Sequence, residues 1–254
     1  MRTILIIGIG AGHPDFLTLM AIEAMRRADV VFLPDKGEEK AGLNLVRLQM
    51  LERAVPEGGY RMAEFSVPER RAAETPDYRE SIDNWRGKLE GAYRRLFTEE
   101  LREGETGAFL VWGDPALYDG TLRIVDEMRA SGHELALEVV PGISAVQALA
   151  AAHKIALNRV GEAVTVTTGR RVAAGEADGL SNFVVMLDNH AAWKRFAETK
   201  AYIYWGAYLG TPDQILVAGP VAAVQDEIAQ VREEARRRHG WIMDTYLIRQ
   251  PERG

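Results

Sequence analysis

The sequence predicts an α/β fold with a mostly parallel N-terminal sheet and a mixed C-terminal sheet, and three observations carry that prediction. The apolar run at residues 4–7 enters a glycine-rich turn, Gly8-Ile9-Gly10-Ala11-Gly12-His13-Pro14-Asp15, and Leu17, Met20, Ala21, Ala24 and Ala28 follow at helical spacing. The same order of apolar run, turn and helical pattern repeats as far as Ala152, which implies parallel strands joined by crossover helices. After His153 the strand-like runs stand closer together with fewer helices between them, the pattern of a mixed sheet. The boundary falls near Gly142, which divides the chain into domains over residues 1–142 and 143–254.

Each element has its own signal. The second strand covers residues 29–33 and ends at Pro34, where a charged loop begins, Asp35-Lys36-Gly37-Glu38-Glu39-Lys40. Residues 43–51 read as a helix, and residues 60–67 hold a short strand. Between residues 68 and 102, Trp85, Leu89, Tyr93, Leu96 and Phe97 recur at helical spacing, which predicts one long amphipathic helix with its aromatic stripe in the core. A strand at 108–112 ends at Gly113-Asp114-Pro115, a helix covers 121–130, and a strand at 138–140 ends at Pro141-Gly142-Ile143-Ser144-Ala145. Ser144 suits the N-cap of the helix carrying Val146, Leu149 and Ala152. Further strands are predicted at 164–168, broken by Gly169-Arg170-Arg171, and at 183–187, 201–208, 215–218 and 241–248. A charged helix at 224–238 precedes the last of them.

Bulk properties remove several function classes. A length of 254 residues leaves room for two domains. The absence of cysteine excludes disulfides, thiolate metal sites and a cysteine nucleophile, and it suits a reducing cytoplasm. The histidines lack partners at ligand spacing, so no metal site is expected. A net charge of −6 argues against a broad basic surface for nucleic acid while leaving room for a local basic pocket. A core strand starts within three residues of Met1, which leaves no space for a signal peptide, and no apolar run approaches the length of a membrane span.

The first glycine turn departs from the familiar phosphate binders. The dinucleotide fingerprint requires a third glycine where His13 stands, and Pro14 stiffens the place where a helix would offer amides to a pyrophosphate. No Gly-Lys-Ser or Gly-Lys-Thr occurs in the chain, so a phosphate loop is ruled out. Three turns instead stand at the carboxyl ends of strands: the glycine turn, Gly113-Asp114-Pro115 and Pro141-Gly142-Ile143-Ser144-Ala145. With Gly12, Pro14, Phe16 and Leu17-Thr18 in the first, and Gly210-Thr211-Pro212-Asp213-Gln214 and Val217-Ala218-Gly219-Pro220 later on, the chain resembles the tetrapyrrole methylase family. These are the class III methyltransferases that use S-adenosylmethionine (SAM). Segments beyond the general signature give a narrower resemblance, to members acting on precorrin-5 in aerobic cobalamin synthesis. They are residues 35–40, 107–118, 167–171, 204–211 and 241–246.

The resemblance implies a two-domain tetrapyrrole methylase fold with the cofactor in a cleft between the domains. It implies cofactor contacts from Ala11, from Trp112, Gly113 and Asp114, from Leu117, and from Ser144 and Ala145. Leu187, where relatives often have Met, would contribute from the second domain, with Gly210 and Gly219. The implied reaction transfers a methyl group to precorrin-5 with release of acetate, leaving S-adenosylhomocysteine. Its hydrolytic part requires a base and a donor for the developing oxyanion. Asp35 is the first candidate base, Tyr118 a donor and Lys36 an electrostatic stabiliser, with Asp244 and Tyr246 as alternatives. Cations should meet the polycarboxylate substrate, and Arg170, Arg171 and His13 are the candidates. Plain structural readings stand beside these: Ser144 as a helix cap, Asp114 as a turn cap, the two arginines as solvated side chains. Relatives imply a homodimer. The rival readings are methylation of a different corrin precursor or of RNA, an NAD-linked oxidoreductase, and a non-catalytic tetrapyrrole carrier.

Overall fold

The computed structural model describes residues 1–35, 41–68 and 78–251. They fall into two compact units, the first made of Met1–Gly10 and Pro14–Ile143 and the second of Ala11–His13 and Ser144–Gly254.

In the first unit β1 (Arg2–Gly8), β2 (Val30–Asp35), β3 (Arg61–Ser66), β4 (Thr106–Val111) and β5 (Leu135–Val140) form a parallel sheet in the order β3-β2-β4-β1-β5. Helices α1 (Leu19–Arg26), α2 (Ala41–Ala54), α3 (Tyr78–Arg95) and α4 (Thr121–Ala130) accompany it. Because helices cover both faces, the central strand is apolar throughout, and Ile4, Leu5, Ile6 and Ile7 are all fully buried. Leu5, Ile7, Val31 and Leu110 pack with Ala21, Ala24 and Met25 of α1 and with Met50 and Leu51 of α2. Ile4, Ile6, Phe32 and Phe109 pack on the other face, with Leu89 and Tyr93 of α3 and Ile124, Val125 and Met128 of α4.

Two expectations for the first unit are corrected. The long helix expected at 68–102 is shorter: α3 ends at Arg95 and runs into one π-type turn, Leu96–Glu100. Its aromatic stripe does lie in the core, with Tyr93 stacked on Phe109 at 4.7 Å. Pro34 does not end β2, which pairs with β3 as far as Asp35 opposite Ser66. The N–H groups of Arg61 and Val67 bond to the carbonyls of Asp29 and Asp35, so odd-numbered β2 residues face β3 and Pro34 faces the other way. On that side pairing with β4 has already stopped at Phe32 opposite Phe109. The missing donor of Pro34 therefore interrupts no ladder bond.

In the second unit β6 (Thr165–Thr168), β7 (Asn182–Met186), β8 (Tyr202–Ala207), β9 (Ile215–Pro220) and β10 (Asp244–Arg249) form a mixed sheet in the order β6-β7-β10-β8-β9. Only the β6–β7 pair is parallel. Helices α5 (Ala145–His153), α6 (Gly169–Ala173) and α7 (Val221–His239) belong to the same unit. Trp193, Trp205, Phe183 and Tyr246 are fully buried in its core. The last strand starts at Asp244 rather than at Trp241, whose ring meets Tyr208 edge-on while its carbonyl accepts the Tyr208 hydroxyl at 2.5 Å.

Candidate functional site

The chain leaves β1 for α1 on one face of the first sheet and leaves β4 for α4 on the other. Adjacent strands whose connections depart to opposite faces mark the reversal point where open α/β sheets bind ligands, at the strands' carboxyl ends. The loops there are joined backbone to backbone. Ile9 donates to the Val111 carbonyl at 2.9 Å, Gly113 to Gly10 at 2.8 Å and Gly10 to Gly113 at 3.3 Å. A Cβ on Gly8 would lie 2.6 Å from the Gly142 nitrogen, and one on Gly142 only 2.1 Å from the Gly113 carbonyl oxygen. Gly10 and Gly113 adopt φ of +81° and +74°, open to glycine at little cost. The glycines thus let three loops approach one another.

Asp114 fastens this arrangement. One carboxylate oxygen accepts the Ala116 N–H and the other the Gly142 N–H, each at 2.8 Å, tying the loop after β4 to the end of β5. Trp112 and Leu117 are half-buried on the same loop. Tyr118 follows at φ +56° and is 47% exposed. Asp35 is exposed at the end of β2, at the same edge of the sheet, while Lys36 lies outside the described residues.

In the second unit Ala11 is buried and His13 exposed. Gly12 between them, at φ +146°, fits closely against Thr211 and the Leu209 carbonyl. Ser144 is buried and caps α5: its Oγ accepts the Val146 N–H at 3.2 Å, its hydroxyl donates to the Gln147 side chain, and that side chain accepts the Ser144 N–H at 3.1 Å. Ala145 is the first residue of that helix. Gly210, at φ +78°, donates its N–H to the Gln214 side chain at 2.9 Å. Gly219 has a packing reason of its own, since a Cβ there would lie 2.6 Å from the Val224 methyl on α7. Arg170 and Arg171 are neighbours on the five-residue α6, about 100° apart around its axis. Arg171 is ion-paired with Glu176.

Leu187 closes β7 in the left-handed region, φ +54°, with 61% of its surface exposed. The next residue, Asp188, is buried and heavily bonded. Its carboxylate accepts the N–H groups of His190 and Ala192 and the Tyr246 hydroxyl, all at 2.8 Å. Its carbonyl accepts Arg232, whose Nε bonds Asp244 at 2.9 Å, and Asp244 also accepts the Trp205 indole at 3.0 Å. Burial pushes the Asp244 carboxyl up against the pull of Arg232, and burial with the neighbouring Asp188 pushes the Tyr246 phenol well up. Asp244 and Tyr246, alternatives for the base and donor, are therefore interior members of a network that holds the Leu187 turn.

Sequence reasoning missed a second buried cation, Arg47. From α2 it enters the gap where β2 and β4 stop pairing, donating from Nε to the Leu110 carbonyl at 3.0 Å and from Nη1 to Asn44 Oδ1 at 3.1 Å. Asn44 in turn donates to the Pro34 carbonyl at 2.9 Å. Burial lowers the Arg47 guanidinium from its usual range, with Asp119 opposing the shift. The signal in the sequence is faint: one arginine among the apolar residues of a helix. Among the described residues no group of three His, Asp or Glu side chains could hold a metal ion, and no helix is long and apolar enough to cross a membrane.

Residues 3–225 match the tetrapyrrole (corrin/porphyrin) methylase family, and the chain belongs to it. Among curated proteins it is 49% identical to a precorrin-6A synthase [deacetylating] of Sinorhizobium sp., over 98% of this chain and 95% of that one. Among solved structures it matches a cobalamin synthesis related protein (CobF) of Corynebacterium diphtheriae with a TM-score of 0.84 and 39% identity, covering 99% of this chain and 100% of the other. A uroporphyrin-III C-methyltransferase of Thermus thermophilus, solved with S-adenosylhomocysteine, shares the fold at a TM-score of 0.60 and 16% identity, over 97% and 91% of the two chains.

Proposed function

We propose that the chain is a SAM-dependent C-methyltransferase that converts precorrin-5 to precorrin-6A with release of acetate, in aerobic cobalamin biosynthesis. The near-full-length identity of 49% to the deacetylating precorrin-6A synthase carries this reading. The identity runs through both units, so it is not confined to a shared cofactor loop.

The first unit's loops suit the cofactor. Gly8, Gly10, Gly113 and Gly142 let these loops pack closely, and the half-buried Trp112 and Leu117 lie on the loop after β4, which we read as a setting for an adenosyl group rather than for a pyrophosphate. With Asp114 they are the proposed contacts of the first unit, and Ala11, Ser144, Ala145, Leu187 and Gly210, with Gly219 on its strand, are those of the second. SAM supplies a methyl group that is already activated, so the protein's main task in the transfer is alignment. Asp114, bound to two backbone amides, keeps the loop after β4 fixed for that purpose. Asp35 and Tyr118 are the proposed polar groups facing the substrate at the carboxyl edge, and Lys36 is the proposed electrostatic stabiliser. His13, Arg170 and Arg171 are the proposed partners of its carboxylates. We place the enzyme in the cytoplasm as a homodimer.

The test is an incubation with SAM and precorrin-5 generated in situ, followed by mass spectrometry. Acetate, S-adenosylhomocysteine and methylated corrinoid in equal amounts are expected. SAM binding without turnover would move the substrate to another corrin precursor, and folded protein that binds no SAM would refute the methyltransferase reading.

A further inference from the structure

A cavity of about 120 Å³ lies at the carboxyl ends of β2, β3 and β4, bounded there by Pro34, Val67 and Val111. Phe65, Trp85 and Leu89 give it apolar walls. It holds several water-sized groups but not a corrin ring. Two charged residues line it, Arg47 and Asp119. Arg47 is 7% exposed. Asp119 lies one residue beyond Tyr118, and its Oδ1 accepts the Thr121 N–H at 2.8 Å at the start of α4. Its other oxygen accepts no hydrogen bond among the described residues.

Arg47 is buried and Asp119 half-buried, so the cavity brings a cation and an anion to one small, largely apolar space. Together they match the chemistry that hydrolysis of a ketone demands: a base for water and a positive group where the oxyanion develops. We propose that this cavity takes the acetyl group of the substrate, with Asp119 as the base that activates water and Arg47 as the cation facing the oxyanion. The inference rests on the precorrin-5 reading above.

Asp119 takes a proton from water as the water oxygen bonds to the acetyl carbonyl carbon, and the carbonyl π pair moves onto its oxygen beside Arg47. When that pair returns, the bond from the acetyl carbon to the ring carbon breaks and its electrons go to the ring. Acetic acid forms and ionises to acetate, Asp119 returns its proton to solvent, and the electron-rich ring carbon is ready to accept the methyl group. The apolar walls hold the methyl end of the acetyl group, and the macrocycle stays outside.

Asp119→Asn tests this directly, because an asparagine oxygen still accepts the Thr121 N–H and keeps the start of α4. Wild type, Asp119→Asn, Asp119→Ala, Arg47→Lys and Asp35→Asn are compared for acetate release from precorrin-5, for SAM affinity and by circular dichroism. Asp119→Asn should slow acetate release roughly 10²- to 10⁴-fold with SAM affinity unchanged. Arg47→Lys should slow it at least about tenfold. Formate should restore part of the rate in Asp119→Ala, which no purely structural role for Asp119 would produce. Acetate release at the wild-type rate in folded Asp119→Asn, or its loss in Asp35→Asn instead, overturns the assignment. A wild type that binds SAM but releases no acetate overturns the precorrin-5 reading and this inference with it.

Discussion

Replacing Tyr246 by Phe removes one oxygen atom from the middle of the second unit and tests how the Leu187 turn is held. The Tyr246 hydroxyl donates to the Asp188 carboxylate at 2.8 Å, and the two residues are 0% and 2% exposed. Hydrogen bonds to buried charged groups contribute about 1.5–3 kcal/mol. The phenylalanine ring keeps the edge-on contact with Trp193 at 5.6 Å, so packing losses are small. Asp188 keeps its bonds from His190 and Ala192. The expected loss is therefore about 2 kcal/mol, read as a shift in the urea midpoint at constant slope, or a fall of roughly 4–8 °C in Tm for a chain of this size. A second readout follows from position. Asp188 sets the backbone next to Leu187, so SAM affinity should weaken as well, by less than the loss of stability. A Tyr246→Phe protein within about 0.5 kcal/mol of wild type would refute the reasoning, because removing a buried carboxylate's donor would then have cost nothing.

Three other outcomes are expected. Arg232→Met should destabilise the protein by about 3–5 kcal/mol because Asp244 is left buried without its partner, and adding Asp244→Asn should recover much of that in a double-mutant cycle. Gly142→Ala should cost at least about 2 kcal/mol and lower SAM affinity, since its Cβ would meet the Gly113 carbonyl oxygen at 2.1 Å, and denaturant titration alongside calorimetric binding would check both. Glu105 is held down to about 2 by its bonds to Arg61 and the Arg102 N–H, against an ordinary value of 4.5. A depressed carboxylate contributes stability that is present above 4.5 and lost as pH falls toward 2, so acid titration of Glu105→Gln should show a shallower loss across that window than wild type.

The strand ends were legible because glycine and proline mark them: the three turns after β1, β4 and β5 appear in the sequence where the structure has them. The bounds of α4 were legible too, since Ile124, Val125 and Met128 recur at the spacing of one buried face and Asp119-Gly120 precedes them. Pro34 misled because a proline breaks a strand only where its missing donor is needed, and which neighbour a residue faces is not written locally. Arg47 and Arg232 were illegible for a related reason. An arginine on a helix reads as solvent-facing, and only the gap between β2 and β4, or the crowding of Asp188 and Asp244 at one end of a mixed sheet, turns it inward. Asp244 and Tyr246 stood out by type, but the network they share with Asp188 and Arg232 is set by tertiary packing that no local pattern records.

Surface connections in most proteins accept extra residues easily, which is how related chains come to differ in length. The links after β1, β4 and β5 lack that freedom. Gly10 is bonded to Gly113 in both directions, and Asp114 reaches across to Gly142, so one added residue in any of the three would put every partner out of step. The turns at Gly58-Gly59 and Gly132 have open space around them and, among the described residues, only local backbone bonds. Insertions, tags or a fused reporter should be tolerated at those turns, while a single-residue insertion between Gly8 and Gly12 should abolish cofactor binding with the outer parts of the sheet still folded.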